Sequence, residues 1–125
     1  MNILIGKVEA IVREAAKIFT ERAFDISYKS GFENVVTSSD LAIQQFLCEQ
    51  LKSLIPDCGF ICEEENVNDS RDREYVWIID PIDGTANYVR GISESCISVA
   101  LVQNKEVLLG VVYNPAENIS FLTGL

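Results

Sequence analysis

The sequence contains no histidine, and basic residues are scarce. Lysine and arginine together number 10 against 19 aspartate and glutamate residues, which gives a formal net charge of -9 and an isoelectric point near 4.4. A surface this acidic repels polyphosphate backbones, so the composition disfavours a sequence-independent nucleic-acid partner. The absence of histidine excludes a histidine general base and weakens the case for a zinc site.

Long apolar stretches are missing as well. No run approaches the ~18 apolar residues that a membrane-spanning helix needs. Lys7, Glu9 and Arg13 interrupt the amino-terminal stretch in which a signal peptide would be apolar. We therefore expect a cytoplasmic protein with no membrane partner. The hydrophobic fraction of 48% is nevertheless sufficient for the core of one compact domain, or of half of a larger one.

The four cysteines do not form a metal-binding or redox motif. Cys48, Cys58, Cys62 and Cys96 lack the paired C-x-x-C spacing of such motifs. Cys48 falls in a helical apolar pattern and Cys96 in a strand-like one, which predicts buried, reduced thiols that pack as small hydrophobic side chains. A disulfide framework is the minor alternative, because nothing in the sequence indicates secretion.

The amino-terminal part of the chain has the periodicity of two amphipathic helices. The first is predicted from apolar residues at three- and four-residue spacing, namely Leu4, Val8, Ile11, Ala15 and Ile18. The second is predicted to begin after residues 37–40 and to end before Pro56. Its apolar positions are Ile43, Leu47, Leu51 and Leu54. Residues 25–36 are predicted to form a loop or a short extended link.

After Pro56 the pattern changes to short apolar runs, which are typical of strands. The predicted strands are residues 60–62, 76–79, 96–102 and 107–112. Residues 103–106 are predicted to connect the last two strands as a hairpin, and residues 66–73 to form a charged surface loop. Two helices followed by a mostly antiparallel sheet predict an α+β architecture rather than alternating βαβ units.

Carboxylates follow two of the predicted strands. The strand at 76–79 runs into Asp80 and Asp83, and the strand at 60–62 runs into Glu63. If the two strands are neighbours, the three carboxylates converge at one end of the sheet, where they cannot all stay ionised without a cation. Such oxygen ligands suit Mg²⁺, with Mn²⁺ as a substitute. The alternative is that these are turn and capping residues and a solvated acidic run.

The residues after Asp83 provide a candidate site for an anion. Gly84 and Thr85 would open a helix, and the free N–H groups at the start of a helix bind phosphate oxygens. Carboxylates that bind metal beside such a site indicate phosphate-ester chemistry.

Residues 80–88, with the sequence DPIDGTANY, resemble the signature of the inositol monophosphatase family of magnesium-dependent, lithium-sensitive phosphatases. Residues 36–40, 56–64 and 110–115 are similar to further segments of that family, in the same order. The resemblance covers nearly the whole chain. It implies that residues 1–125 form the amino-terminal, metal-binding half of a layered αβαβα sugar-phosphatase fold, with two helices packed on the sheet.

The resemblance also implies roles for individual residues. Glu63, Asp80 and the Ile82 carbonyl resemble the ligands of a first Mg²⁺, and Asp83 together with Asp80 those of a second. Glu63 and Thr85 resemble the catalytic residues that orient a water for attack on phosphorus. Because bound metal lowers the pKa of water, this chemistry needs no histidine base.

Three further assignments concern the substrate side of the site. Asp83 and the Gly84 and Thr85 N–H groups would bind the phosphate of a small phosphorylated substrate. Asp40 would contact the Thr85 hydroxyl as a catalytic partner. Its alternative role is that of a capping-box acid, since it lies three residues after Thr37.

The sequence departs from the family in three respects. Cys62 stands where a glycine is usual and Arg90 where a histidine is frequent, and the Trp-Asp motif of the family's carboxyl-terminal half does not occur in these 125 residues. We therefore expect an exposed sheet edge, and either a homo-oligomer or a separate carboxyl-terminal half that completes the site. The alternative to an active phosphomonoesterase is a truncated, inactive remnant or an oligomerising interaction module. The substrate stays open among inositol phosphates, 3′-phosphoadenosine 5′-phosphate and sugar phosphates.

Overall fold

The computed structural model describes residues 2–26, 32–62, 72–83 and 96–124, with the backbone alone described for 2, 19–26, 32–40 and 81–83. Two helices come first, followed by five strands. Within the described ranges, no helix combines the length and the apolar character that crossing a membrane requires.

The two helices are longer than the sequence predicts. Helix α1 spans Asn2–Ile26 and helix α2 spans Phe32–Leu54. The prediction of a link over residues 25–36 is wrong for 25–26 and 32–36, which are helical. Between Gly31 and Pro56 the chain contains neither glycine nor proline, so no residue there interrupts the helix, and the polar residues 37–40 lie inside it. The predicted end before Pro56 is confirmed.

The strands form one mixed sheet in the order β1-β2-β3-β4-β5. The strands are β1 Cys58–Cys62, β2 Tyr75–Asp83, β3 Cys96–Gln103, β4 Glu106–Asn114 and β5 Ile119–Gly124. Strand β1 is parallel to β2, and every other neighbouring pair is antiparallel. The predicted α+β class and the mostly antiparallel sheet are therefore confirmed.

The hairpin between β3 and β4 turns on two residues with left-handed backbone, Asn104 (φ 49) and Lys105 (φ 70). Two consecutive positive φ values are the geometry of the tight turn that matches the twist of the flanking strands. The predicted connection at 103–106 is confirmed. Strand β5 was not predicted, because nearly all of its residues are exposed and it has no alternation of buried and exposed positions.

One face of the sheet is buried beneath the helices. Buried and less buried residues alternate along β3 and β4, since successive side chains point to opposite faces. The register places Leu101 opposite both Trp77 and Leu109, so the buried residues form continuous rows across the strands. Helix α2 packs on β1 and β2, whereas α1 packs on α2 and on β3, β4 and β5.

Arg13 joins α1 to the β4–β5 hairpin. Its guanidinium donates to Asn118 Oδ1 at 2.6 Å and to Ser120 Oγ at 3.0 Å, and it lies over the Tyr113 ring, 4.7 Å from the centroid. The same side chain donates to the Glu9 carboxylate at 3.2 Å. One cation therefore ties the helix to the turn that positions β5.

We expect Leu101→Ala to lower the free energy of unfolding by about 2–5 kcal/mol, because truncating a fully buried leucine leaves a cavity beside Trp77. The matched control is Val107→Thr on β4, where the side chain is 61% exposed and the change should stay within about 0.5 kcal/mol. Denaturant titrations followed by circular dichroism measure both. Equal destabilisation by the two variants would contradict the placement of Leu101 in the core.

Glu9 should give the helix–sheet contact a pH dependence. A hydrogen bond with Ser120 and the nearby Arg13 guanidinium lower the pKa of Glu9 below 4.5. A carboxyl with a lowered folded-state pKa stabilises the fold above its unfolded pKa and loses that effect as pH falls through the folded value.

We therefore expect Glu9→Gln to lower the melting temperature at neutral pH, and the difference from the wild type to close as the pH falls through the lowered folded-state pKa of Glu9. Thermal melts across that range measure it, with Glu49→Gln on the exposed side of α2 as control. A difference that persisted unchanged at low pH would disprove an ionic contribution of Glu9.

Candidate metal and phosphate site

Strand β2 contains a bulge between Asp80 and Asp83. Asp80 pairs with Ser98 and Asp83 pairs with Cys96, so three residue steps on β2 oppose two on β3. Pro81 lies within this step, and proline occurs at bulges because it has no N–H for the ladder. Residues three apart normally face opposite sides, but Ser98 and Cys96 are two apart and share a face. The register positions of Asp80 and Asp83 therefore fall on the same face.

That face is the one that the helices leave uncovered. Ile97 and Val99 flank Ser98 in β3 and are buried beneath the helices, so Ser98 and its partner Asp80 lie on the opposite side. Ile78, also on this side of β2, is 42% exposed, and Asp80 is half-buried. Neither side chain is therefore covered by the helices.

Strand β1 ends directly beside this segment. The parallel register pairs Cys62, the last residue of β1, with Ile79 of β2. The next residues along the chain are Glu63 and Asp80. The condition that the two strands be neighbours, on which the predicted convergence of carboxylates depends, is therefore met.

Several predicted site residues lie outside the described residues: Glu63, Gly84 and Thr85. For Ile82 and Asp83 the backbone alone is described, and Ile82 lies within the bulge. The roles that the sequence analysis gives to these five residues stay predictions.

Asp40 lies in α2, with its backbone alone described. The short connection after Leu54 leads into the start of β1, while Cys48 contacts Cys62 at its end, so α2 runs antiparallel to β1. Asp40 comes before Cys48 in α2, at a distance of about 12 Å along the helix axis. Because Cys48 lies beside the last residue of β1, Asp40 lies beyond the carboxyl ends of β1 and β2. The capping role of Asp40 is wrong, because Thr37 lies inside α2 rather than at its start.

Among the residues whose side chains the structure describes, which exclude Glu63 and Asp83, no three histidine, cysteine, aspartate or glutamate residues gather closely enough to hold a metal ion. The donors that the strand ends bring together, Asp80 and the register position of Asp83, are carboxylates on the open face. Cys62, the nearest soft ligand on β1, lies on the helix-covered face, since it pairs with the buried Ile79. Cys96 lies on the open face opposite Asp83, but the two carboxylates are hard donors, which suit Mg²⁺.

A depression of about 270 Å³ on the open face lies away from these carboxylates. Its floor is apolar and its rim is charged, and it is lined by Ile61, Asp72, Arg73, Glu74, Val76, Ile78, Val102, Asn104 and Lys105. These residues surround the beginning of β2, whereas Asp80 and Asp83 lie at its end. The depression is therefore separate from the candidate metal site.

Two thiols meet on the covered side of the sheet. The Sγ atoms of Cys48 and Cys62 lie 3.8 Å apart. The hydrogen bond between them lowers the pKa of Cys48, and the same contact together with burial raises the pKa of Cys62. All four cysteines are free in this structure, and Cys58 and Cys62 are buried as predicted, whereas Cys48 and Cys96 are only half-buried.

The sequence analysis missed the bulge, its partner Ser98, and the Cys48–Cys62 contact. Pro81 inside an otherwise regular apolar strand was a usable signal for the bulge. No sequence signal marks the thiol contact, because a helix residue and a strand residue 14 positions apart meet only through tertiary packing.

Two helices cover one face of a mixed sheet, and the register positions of Asp80 and Asp83 lie on the other face, at the end of β2. This is an α+β protein with carboxylates at one end of its sheet. The chain belongs to the inositol monophosphatase family, whose sequence model matches residues 2–124.

Individual relatives agree with this assignment. The chain is 42% identical over 97 residues to the fructose-1,6-bisphosphatase/inositol-1-monophosphatase of Thermotoga maritima, covering 78% of this chain and 37% of that protein. It is 36% identical over 115 residues to inositol monophosphatase 1 of Saccharomyces cerevisiae, covering 90% and 38%.

Solved structures share the fold. A Thermotoga maritima IMPase superposes with a TM-score of 0.80 at 31% identity, covering 99% of this chain and 48% of that one. Inositol monophosphatase-II of Staphylococcus aureus gives a TM-score of 0.84 at 22% identity, covering 98% and 46%, and supports the fold alone. The chain spans less than half the length of these relatives.

Proposed function

We propose that this chain carries the metal-binding part of a Mg²⁺-dependent phosphomonoesterase that hydrolyses a small phosphate ester similar to inositol monophosphate. Family membership and the names of the relatives, which are phosphatases, support the reaction class. Sensitivity to lithium and a place in the cytoplasm are part of the same proposal.

The observation that carries the proposal is the bulge in β2. It brings the positions of Asp80 and Asp83 to one face, and β1 ends at Cys62, opposite Ile79, with Glu63 and Asp80 next in the sequence. In a strand without the bulge the two aspartates would lie on opposite faces of the sheet, and they could not bind metal at one shared site. The spacing Asp-Pro-x-Asp is therefore suited to a site that needs both carboxylates on one side.

In the proposed site, Glu63, Asp80, Asp83 and the Ile82 carbonyl hold Mg²⁺, with Mn²⁺ as a substitute. Bound divalent ions supply a Lewis acid for the phosphoryl oxygens and lower the pKa of water, which accounts for chemistry without a histidine.

The remaining residues position the reactants. Glu63 accepts a hydrogen bond from the attacking water, and the Thr85 hydroxyl orients the same water, with Asp40 as its partner. The Gly84 and Thr85 N–H groups, with Asp83, hold the phosphate of the substrate. The placement of Asp40 on α2, past the carboxyl ends of β1 and β2, supports its inclusion.

We expect Asp80→Asn to weaken Mg²⁺ binding by at least roughly 10–100-fold. Loss of a residue that only hydrogen-bonds to a metal ligand has an effect of that size, and Asp80 is proposed as a direct ligand. Isothermal calorimetry measures the affinity. The control is Asp72→Asn, an exposed carboxylate before β2, which should bind Mg²⁺ as the wild type does. Identical heats for the wild type and Asp80→Asn would refute the metal site.

We expect the purified chain to release phosphate from a panel of inositol phosphates, 3′-phosphoadenosine 5′-phosphate and sugar phosphates only when Mg²⁺ is present. Asp83→Asn should reduce release to the metal-free level, whereas Asp72→Asn should not change it. Release that Asp83→Asn leaves intact would disprove the proposed role of Asp83.

A second candidate function is that of a non-catalytic interaction module or oligomerising remnant of the family. The exposed side chains of β5 favour it, since Phe121 is 65% and Leu122 is 48% exposed on a strand whose outer edge is unpaired among the described residues. A chain that binds Mg²⁺ through Asp80 but releases no phosphate from any ester in the panel would favour this second function. A homo-oligomer, or a separate carboxyl-terminal half, would then be its partner.

A further inference from the structure

The contact between Cys48 and Cys62 joins helix α2 to the end of strand β1 on the covered side of the sheet. Cys48 lies in α2 and Cys62 is the last residue of β1, and their sulfurs are 3.8 Å apart. Cys62 is only 3% exposed, whereas Cys48 is half-buried and open to small solutes. Neither thiol belongs to the set of oxygen ligands proposed above.

We propose that Cys48 and Cys62 are a redox modification site at which a hydroperoxide converts the two thiols into a reversible intramolecular disulfide. This inference concerns the chain's thiols alone, and it holds whether or not the chain hydrolyses a phosphate ester.

The geometry requires little movement. A disulfide bond is ~2.05 Å long, so the sulfurs need to approach by about 1.8 Å. The bond would link residues 14 positions apart, in an antiparallel helix and strand that are already joined by a short connection. The native packing therefore holds the two thiols close together before any oxidant arrives.

The position of the other thiols makes the pair selective. Cys58 lies four residues before Cys62 on the same strand, about 13 Å away along β1, too far for a bond to it. Cys96 pairs with Asp83 on the open face, with β2 between it and β1. Cys48 is thus the partner that the fold provides for Cys62.

The chemistry balances in two steps. The sulfur of Cys48 attacks one oxygen of hydrogen peroxide, the O–O bond breaks, and the thiol proton leaves with the departing hydroxide as water. The sulfur of Cys62 then attacks the resulting sulfenic sulfur, and the hydroxyl group leaves with the Cys62 proton as a second water. The two sulfurs are oxidised by two electrons in total, and both peroxide oxygens are reduced to water.

The test treats the folded chain with hydrogen peroxide, blocks free thiols with N-ethylmaleimide after denaturation, and maps the peptides without reduction. Cleavage after Lys52 separates Cys48 from the other thiols, and cleavage after Phe60 separates Cys58 from Cys62. We expect a cross-linked pair of peptides containing Cys48 and Cys62, with Cys58 and Cys96 alkylated. The number of free thiols should fall from four to two and return to four with dithiothreitol.

The variants Cys48→Ser and Cys62→Ser should each abolish the cross-link, and the control Cys96→Ser should retain it. Circular dichroism shows whether each variant is folded. Oxidation of the wild type should also raise its melting temperature, reversibly with dithiothreitol, because the bond restricts the unfolded chain.

Three results would overturn the proposal. They are four alkylatable thiols after peroxide treatment, a cross-link that involves Cys58, Cys96 or a second chain, and a lower melting temperature in the oxidised form. The last would mean that the bond distorts the native contact between α2 and β1.

Discussion

The burial of one sheet face beneath two helices is the constraint on which the rest of this structure depends. It fixes the register of β1 to β4, because a slip of one residue would turn rows such as that of Trp77, Leu101 and Leu109 towards solvent. The two helices leave the opposite face of the sheet uncovered. With the apolar side chains committed to the helices, the polar ends of the strands can present carboxylates to solutes without disturbing the core.

This division separates two kinds of chemistry. Carboxylate positions lie on the open face at the end of β2, and the buried thiol pair lies on the covered face at the end of β1. The thiol pair is thereby kept on the side of the sheet opposite the carboxylate positions, whereas Cys96 lies on the same face as Asp83, its partner in the register. The bulge containing Pro81 completes the arrangement, because it returns Asp83 to the side of Asp80.

The sequence predicts those helices and strands whose buried residues recur at a regular spacing. Both helices and strands β1 to β4 were predictable, because buried residues recur along them at helical spacing or in short apolar runs. The beginning of α2 was not, since polar residues 37–40 resemble a cap, and β5 was not, since its exposed residues show no period. The family signature identified candidate ligands, whereas their shared face depends on pairing between strands and could be read only from the register.

The order of the strands in the sheet is also their order in the chain, from β1 to β5. Each strand therefore finds its neighbour in the next strand along the sequence, and β3, β4 and β5 can form as successive hairpins with short connections, whereas residues 84–95 separate β2 from β3. The docking of α1 on β4 and β5, which Arg13 secures across more than a hundred residues, is the step with the large entropic cost. Folding of this chain should accordingly assemble the sheet from local hairpins and leave the attachment of the first helix to the last strand as a late event.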